Sequence, residues 1–339
     1  MSDHDSPADD HAASSVEAST EVFVGYRELL FSIVYNLLGS VADTEDVLQE
    51  TWLSWSAKVS RSGSTEIDNP RAYLVRIAVN HALARKAALK RRRETYVGPW
   101  LPEPLVTRGT GGTESSAADA AQGALRTESV SMALMVVLET LSPLERAVFV
   151  LHDVFGYAHQ EIAGILDRNP SSVRQLAHRA RAHVQARRPR YQADPQIQRQ
   201  VTERFIDAAL GGDLGLLMHM LAPDVTMWTD GGGKVRTAGL RPVVGREKVC
   251  RLLAGYAQRA PQDIDIHYRH VNGDPSAVVF SEDSPYAVLV MDLTPEDAQV
   301  RGIYAVINPD KLARVRSGES DDDTVGEGDG EPVVGGSGE

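Results

Sequence analysis

Apolar residues recur every three or four positions over much of the first half of this 339-residue chain, which is the spacing of one face of an α-helix. The first clear segment covers residues 23–38 and stops at a glycine, a common helix terminator. Ser40 can cap a second helix, and the acids Asp43 and Asp46 suit the positive end of that helix. The pattern therefore predicts an all-α first half.

The second helix has two different faces. Leu48, Trp52 and Trp55 mark one face, and acidic and amide side chains occupy the other. An acidic surface beside tryptophans is typical of a protein-docking face. A solvated helix that packs its tryptophans into a core has the same pattern.

A third helix is predicted from Asn69 to about Arg93, with Pro70 in its first turn. It contains eight Lys or Arg residues and no acid. The run of cations at its C-terminal end indicates a stripe that binds phosphates. The alternative is a solvated charge run on an ordinary helix surface.

Residues 157–188 predict two short helices that meet at a tight turn, because Asn169 can cap a new helix that has Pro170 at its first position. Between Arg168 and Arg190 the chain has seven arginines and no acid. This pattern is typical of a helix-turn-helix that enters the major groove, and the alternative is a solvated arginine face. One apolar stripe leaves these side chains facing outward: Ser171, Ser172, Arg174, Gln175, His178, Arg179 and Arg181.

Beyond residue 195 the pattern becomes mixed, with strand-like alternation between helical segments. We expect three helices that cover a curved antiparallel sheet, with DGGGK at 230–234 as a hairpin turn. The predicted helices are residues 196–210, 214–221 and 246–259, and the predicted strands are 225–229, 264–271, 276–280, 286–292 and 299–307.

Charge changes this picture only at the ends of the chain. The net charge is −12, but residues 1–21 carry six acids and no base, and residues 317–339 carry eight acids and no base. Without these fourteen charges the remainder is +2, which is compatible with a nucleic-acid partner. Cys250 is the one cysteine, which excludes an internal disulfide and a cysteine-rich zinc site. No apolar run approaches eighteen residues, so we expect a cytoplasmic protein with no membrane contact.

Four motifs occur in one order: an acidic DTEDVLQETW helix, a basic NPRAYLVRIAVNHALARKA helix, LSPLERAVFVLHDVFGY and the helix-turn-helix. Together they resemble the extracytoplasmic-function RNA polymerase sigma factors of bacteria, over residues 23–188. WLPEP at 100–104, SVRQLAHRAR, DGGGK and NPDKL at 308–312 resemble the SigJ-like subgroup, which has a C-terminal SnoaL-like domain. Asp167 and Arg168 depart from the glycine-plus-aliphatic turn of many sigma factors.

The resemblance implies a multidomain protein with two all-α sigma domains followed by an α+β SnoaL-like cone. It implies a transcription regulator and not an enzyme, with RNA polymerase core and promoter DNA as partners and no cofactor, metal or catalytic residue. The expected divisions are a disordered acidic tail at 1–20, sigma domain two at 21–95, a linker at 96–128, sigma domain four at 129–190, the cone at 196–316 and a disordered acidic tail at 317–339.

The resemblance also implies four sets of functional residues. Core polymerase would bind Asp43, Asp46, Gln49, Glu50 and Trp52. The minus-ten element would contact Arg71, Arg76, Asn80, Arg85 and Lys86, with Asn80 reading a flipped base. The minus-thirty-five element would contact Ser171, Ser172, Arg174, Gln175 and Arg179. Three exposed motifs would make a regulatory contact through Trp100, Leu101, Pro102, Asp230, Gly231, Lys234, Asn308, Asp310 and Lys311.

Two other functions remain open from the sequence. The cone could bind an unknown small ligand or catalyse a reaction, with Asp230 or His267 as acid or base. In the plainer interpretation, Asp230 and His267 are surface residues, and the apolar residues that could line a cavity belong to the core. The chain could instead be a DNA-binding regulator that never meets polymerase, which leaves the acidic helix and the third helix without a role. The candidate cavity residues are Met218, Met220, Trp228 and Tyr256.

Overall fold

The computed structural model describes residues 7–62, 67–106, 130–187 and 193–316. Its first half is helical and its last third is α+β, as the sequence predicts. The helices of the first half are α1 (Pro7–Leu38), α2 (Val41–Ser62), α3 (Pro70–Glu94), α4 (Met132–Leu138), α5 (Pro143–Phe149), a π-helical turn (Val150–Val154), α6 (His159–Leu166) and α7 (Pro170–Arg187).

Helix α1 begins well before its predicted start, so part of the segment expected to be disordered is helical. The early turns lack an apolar period, which is why sequence periodicity missed them. A long-range contact fixes the helix there, because the buried Trp55 indole donates a hydrogen bond to the Ser19 carbonyl at 2.9 Å.

The two helical modules, α1–α3 and α4–α7, share one apolar core. Helix α3 packs against both α5 and α6, and α1 packs against α5 and the π-helical turn. In a chain with two independent DNA-binding modules joined by a tether, two separate cores would be expected. The modules are instead packed together in this structure.

The C-terminal domain contains a six-stranded sheet covered by helices. Its elements are α8 (Pro195–Gly211), α9 (Leu214–Met220), β1 (Leu221–Asp230), β2 (Val243–Val244), α10 (Arg246–Ala257), β3 (Ile264–Val271), β4 (Asp274–Ser281), β5 (Ser284–Leu293), β6 (Val300–Val306) and α11 (Pro309–Leu312). The strand order is β2-β1-β6-β5-β4-β3. The cone of three helices on a curved sheet is confirmed.

Two details of the predicted sheet are wrong. Strand β1 pairs with β6 in parallel, so the sheet is mixed and not purely antiparallel. The DGGGK segment is not a tight hairpin either, because residues 231–242 separate β1 from β2. Local turn signals identified the change of direction, but they could not specify which strand β1 would join.

The two faces of the sheet pack against different parts of the molecule, since successive residues of a strand point to opposite sides. The inner face, represented by Met227 and Ala305, packs against α8 and α10. The outer face, represented by Val290 and Tyr304, packs against Leu101 of the linker and against α4. The sheet therefore lies between its own helices and the sigma modules.

Within the described ranges, no helix is both long and apolar enough to cross a membrane. The same ranges contain no cluster of three or more His, Cys, Asp or Glu side chains that could hold a metal ion.

Candidate nucleic-acid interface and interdomain contacts

The helix-turn-helix forms as predicted. The Asn169 side chain caps α7 by accepting a hydrogen bond from the Ser172 amide at 2.7 Å. Asp167 takes up the left-handed conformation, with φ 51°, at the turn where glycine is usual. Aspartate tolerates this conformation better than most residues, so the departure from the family's glycine preserves the turn. The predicted apolar stripe is buried, at Val173, Leu176, Ala177, Ala180 and Val184.

The predicted reading face of α7 lies on the molecular surface. Arg174 and Gln175 are exposed, and Ser171 is exposed beside the helix cap. Arg179 forms an ion pair with Glu145 at 3.2 Å but keeps 64% of its side chain exposed. Ser172 is half-buried. The structure thus places the five residues predicted for the minus-thirty-five element on one end of one helix.

The predicted minus-ten residues on α3 do not share one environment. Arg71, Arg76 and Asn80 are exposed. Arg85 is bound within the chain, because it forms ion pairs with Asp43 at 3.0 Å and with Asp46. Burial alone would lower the pKa of Arg85, but the two acids outweigh it and raise the pKa.

The Arg85 contacts also use two of the acids predicted to meet polymerase. On the same helix, Gln49 and Glu50 are exposed. Glu50 lies 3.4 Å from a ring nitrogen of His81, and Trp52 packs edge-on against Phe23 with ring centroids 5.3 Å apart. Within this acidic face (Asp43, Asp46, Gln49 and Glu50), Arg85 therefore binds Asp43 and Asp46, while Glu50 lies beside His81 of the third helix.

Lys86 differs most from expectation, because its side chain is buried and not presented to DNA. Its ammonium donates to the Leu37 carbonyl at 3.0 Å and lies 3.4 Å from the Glu139 carboxylate. Glu139 also binds Arg146, which has no exposed surface. We call Lys86, Glu139 and Arg146 the buried charge network, and it joins α3 to the module that carries the helix-turn-helix.

Two polar atoms beside this network lack partners. The Arg146 guanidinium donates to the Asn36 carbonyl at 2.8 Å, but its second terminal nitrogen and the Asn36 amide nitrogen are buried without a hydrogen bond. Unpaired buried donors cost free energy. A further contact between the modules places the Arg71 guanidinium 5.3 Å from the centre of the Tyr157 ring.

Leu101 and Lys311, both predicted for the regulatory contact, bind Asp230, but this aspartate is fully buried and not exposed as its glycine-rich context suggested. Its carboxylate accepts hydrogen bonds from the Leu101 amide at 2.8 Å and the Tyr96 hydroxyl at 2.5 Å. It also forms an ion pair with Lys311 at 2.7 Å. Asp230 therefore binds the linker and α11 at once.

The rest of this linker contact surrounds the same lysine. The Lys311 ammonium lies 4.2 Å from the centre of the Trp100 ring and also binds the Leu101 carbonyl. Asn308 donates to the Tyr96 hydroxyl at 2.9 Å. We use the name linker contact for Tyr96, Trp100, Leu101, Asp230, Asn308 and Lys311. Lys234 and Asp310 form a separate, exposed ion pair at 2.6 Å.

Close packing explains the glycines that follow Asp230. A Cβ atom on Gly231 would lie 2.4 Å from the Ala238 side chain, and one on Gly232 would lie 2.3 Å from the Asn308 amide. Gly232 also has φ 59°, which favours glycine. Pro102 and Glu103 of the linker are also buried. The WLPEP segment is thus packed into the protein and is not an exposed tether, whereas residues 107–128 of the predicted linker lie outside the described residues.

Asn272 is a contact that the sequence analysis missed. Its side-chain nitrogen donates to the Tyr35 hydroxyl of α1 at 2.7 Å and lies 3.7 Å from the sulfur of Met135 in α4. Its side-chain oxygen accepts from the Leu105 amide of the linker at 3.2 Å. The Asn-Gly pair at 272–273 is a common hairpin signal, so the sequence indicated a turn and gave no sign of this second role. One side chain of the cone therefore touches both sigma modules and the linker.

The candidate cavity residues of the cone are only partly brought together. Tyr256 lines an apolar pocket on the inner face of the sheet. Trp228 faces the other side and stacks on Tyr304 at 4.9 Å, and Met218 and Met220 pack at the edge of the inner core. Asp230 and His267 do not line the pocket, and His267 packs edge-on against Phe280 of the outer face at 5.1 Å. The suggested acid or base is thus absent from the described lining.

Known proteins share this combination of modules. Residues 22–93 match the family model of Sigma-70 region 2, and residues 131–184 match Sigma-70, region 4. The chain is similar to the ECF RNA polymerase sigma factor SigJ of Mycobacterium tuberculosis, with 37% identity over 300 residues that cover 86% of this chain and 92% of the relative. It is also similar to a probable ECF RNA polymerase sigma factor, SigI, of that species, with 28% identity over 86% of this chain and 94% of the relative. A crystal structure of Mycobacterium tuberculosis SigJ matches with a TM-score of 0.66 and 34% identity, over 87% of this chain and 98% of that one.

Proposed function

Because the chain belongs to the extracytoplasmic-function RNA polymerase sigma factors, we propose that it binds core polymerase in the bacterial cytoplasm and directs it to a class of promoters. Residues 21–95 supply the polymerase and minus-ten contacts, and residues 129–190 supply the minus-thirty-five contacts. The exposed α7 face and the exposed Arg71 and Arg76 of α3 support this assignment. The chain contributes recognition and not catalysis.

We further propose that the described conformation is closed and does not fit a promoter. The two promoter elements are named for positions about 25 base pairs apart, which is roughly 85 Å of duplex at 3.4 Å per base pair. In the structure α3 and α6 are in contact and their modules share a core. The two DNA-binding surfaces therefore have to move apart before both elements can be bound.

The C-terminal domain is proposed to hold this closed state in cis. The observation that carries this proposal is the set of three contacts made by Asn272, with α1, α4 and the linker. The linker contact adds a second attachment through the buried Asp230. Release of the cone would free the linker and permit the modules to separate, which is a shift between two populated states.

Replacing both Arg174 and Gln175 by alanine should weaken selectivity for the minus-thirty-five element. A bidentate contact with a base is worth about 1–3 kcal/mol, and both side chains are exposed at the start of α7. Promoter affinity would be compared on the native and a scrambled minus-thirty-five sequence, with the holoenzyme at fixed salt. Arg187→Ala, near the other end of the helix, is the control. An equal loss on both sequences would assign these residues to phosphate contact.

Replacing Asp46 and Glu50 by arginine should greatly reduce the affinity for core polymerase. Both acids are on the exposed side of α2, where they would meet a basic surface. A pull-down and a titration with labelled protein measure the change, and the control is Glu203→Arg combined with Asp207→Arg on α8 of the cone, which changes the net charge by the same amount. Unchanged affinity would remove this face from the polymerase interface.

A second candidate function is a ligand sensor, which the apolar pocket of the cone favours. The enzyme version of that idea has no support from the lining, where the ionisable side chains are Tyr256 and Tyr286. Sensing is compatible with the sigma function, because a ligand could set how firmly the cone holds the modules.

A further inference from the structure

An apolar pocket opens between the inner face of the sheet and the helices α8 and α10. Its volume is about 130 Å³, and its walls include Phe205 of α8, Leu253 of α10 and Leu289 of β5. An apolar cavity of about 150 Å³ takes up a molecule as large as benzene. One ring therefore fits inside, and a larger ligand can extend through the mouth, where Leu210 and Tyr286 are more than two-fifths exposed.

The polar groups of the pocket are neutral and few. The Tyr256 hydroxyl donates to the Thr237 carbonyl at 3.0 Å. Burial raises the pKa of Tyr256, and a hydrogen bond from Thr229 opposes this effect without cancelling it. Its oxygen can accept a hydrogen bond from a ligand hydroxyl. Because the described lining contains no Asp, Glu, Lys, Arg or His, a charged ligand would lose its hydration without gaining a partner.

The pocket wall and the linker contact are adjacent along two paired strands. Thr229 of β1 lines the pocket, and the next residue is Asp230, whose carboxylate holds the linker on the opposite side. At the end of β6, Ile307 lines the pocket and donates its amide to the Asp230 carbonyl at 2.9 Å. The next residue, Asn308, binds Tyr96 of the linker. A shift of Thr229 or Ile307 therefore also moves the residue that follows it, Asp230 or Asn308, which binds the linker.

We propose that this pocket binds a small, neutral, ring-containing molecule that carries a hydroxyl group, and that binding alters the linker contact through Asp230 and Asn308. The ring occupies the apolar interior and the hydroxyl meets Tyr256. The proposed binding site depends only on the geometry of the pocket, whereas an effect of the ligand on transcription rests on the proposed sigma function.

Binding is tested on the full-length free protein with 2-naphthol as the probe, by titration calorimetry. Naphthalene lacks the hydroxyl, and 2-naphthoate adds a negative charge. We expect saturable binding of 2-naphthol and naphthalene and at least tenfold weaker binding of 2-naphthoate. Tyr256→Phe should lower the affinity for 2-naphthol about three- to tenfold, which corresponds to the loss of one neutral hydrogen bond. The affinity for naphthalene should stay within twofold of the wild-type value. Tyr268→Phe, a partly buried tyrosine outside the pocket, should change neither affinity.

A second pair of variants locates the site. Ala257→Phe places a ring in the pocket and should abolish binding, whereas Gln258→Phe adds the same ring at the exposed neighbouring position and should not. Absence of saturable binding, or equal affinities in these two variants, would overturn the site. Binding by 2-naphthoate as tight as by 2-naphthol would overturn the ligand class.

The link to the linker is measured separately, by hydrogen exchange of residues 96–106 with and without 2-naphthol. Exchange of the Leu101 amide, which donates to Asp230, should change in the wild type and not in Ala257→Phe. Binding without any change in this segment would overturn the link and leave the site. None of these measurements uses polymerase, so failure of the sigma assignment would appear only in transcription assays and could not be confused with failure of the pocket.

Discussion

Replacing Glu139 by glutamine is expected to loosen the two sigma modules from each other. The carboxylate lies between Lys86 of α3 and Arg146 of α5, and Arg146 has no exposed surface. Removing the negative charge leaves two largely buried cations without their shared partner. Loss of one member of a buried ion pair typically lowers the free energy of unfolding by about 3–5 kcal/mol. We expect a loss near the lower value, because the glutamine amide oxygen can still accept a hydrogen bond.

The stability of the free protein to urea would measure this loss, and Glu203→Gln is the matched control. Glu203 forms an ion pair with Arg199 at 2.8 Å in which both side chains are more than one-third exposed. Such a surface pair is worth less than about 1 kcal/mol. If Glu139→Gln is as stable as the control, the buried charge network does not hold the modules together.

Replacing Asp230 by alanine is expected to detach the linker and activate the protein. The fully buried carboxylate has an ion pair with Lys311 and hydrogen bonds from Tyr96 and Leu101. Without it Lys311, whose side chain is 12% exposed, loses its carboxylate partner. The cost to the closed state is on the order of 3 kcal/mol. Promoter-dependent transcription should rise at least about tenfold, since 1.4 kcal/mol corresponds to a factor of ten.

Asp310→Ala is the control for this change, because the Lys234–Asp310 pair belongs to the same two motifs but is more than half exposed. It should leave transcription close to that of the wild type. Circular dichroism of Asp230→Ala would verify that the cone still folds, and Asp230→Asn, which keeps the shape of the side chain, should give a smaller rise. Transcription unchanged in Asp230→Ala with an intact cone would show that the linker contact does not inhibit.

The features that the sequence predicted correctly are local ones. The α7 stripe from Val173 to Val184 depends on helical periodicity, and the cap at Asn169 depends on residues within one turn. Both are determined by short segments, so the exposed face of α7 could be identified without the rest of the chain. The three helices and most strands of the cone follow from the same kind of pattern.

The features that the sequence did not reveal depend on distant partners. Asp230 looked exposed among glycines, but its burial depends on Leu101, which is 129 positions away. Lys86 looked like one more cation of a basic stripe, but its ammonium group binds Glu139 and the Leu37 carbonyl in the interior of the protein. The parallel pairing of β1 with β6 likewise joins segments that no local signal connects. Contacts of this kind join the sigma modules, the linker and the cone, and composition or periodicity cannot specify them.

The most direct test of the closed state is a distance between the two sigma modules. Fluorescent labels would be placed at the exposed positions Ser60 in α2 and Gln185 in α7, in a chain whose buried cysteine is removed by Cys250→Ser. Energy transfer between the labels would be measured in the free protein, and again after core polymerase and promoter DNA are added. A closed protein gives one short distance that lengthens by tens of ångströms in the promoter complex, since the two DNA elements lie roughly 85 Å apart. A free protein that already shows the long distance would contradict closure, and so would a short distance that persists in the promoter complex.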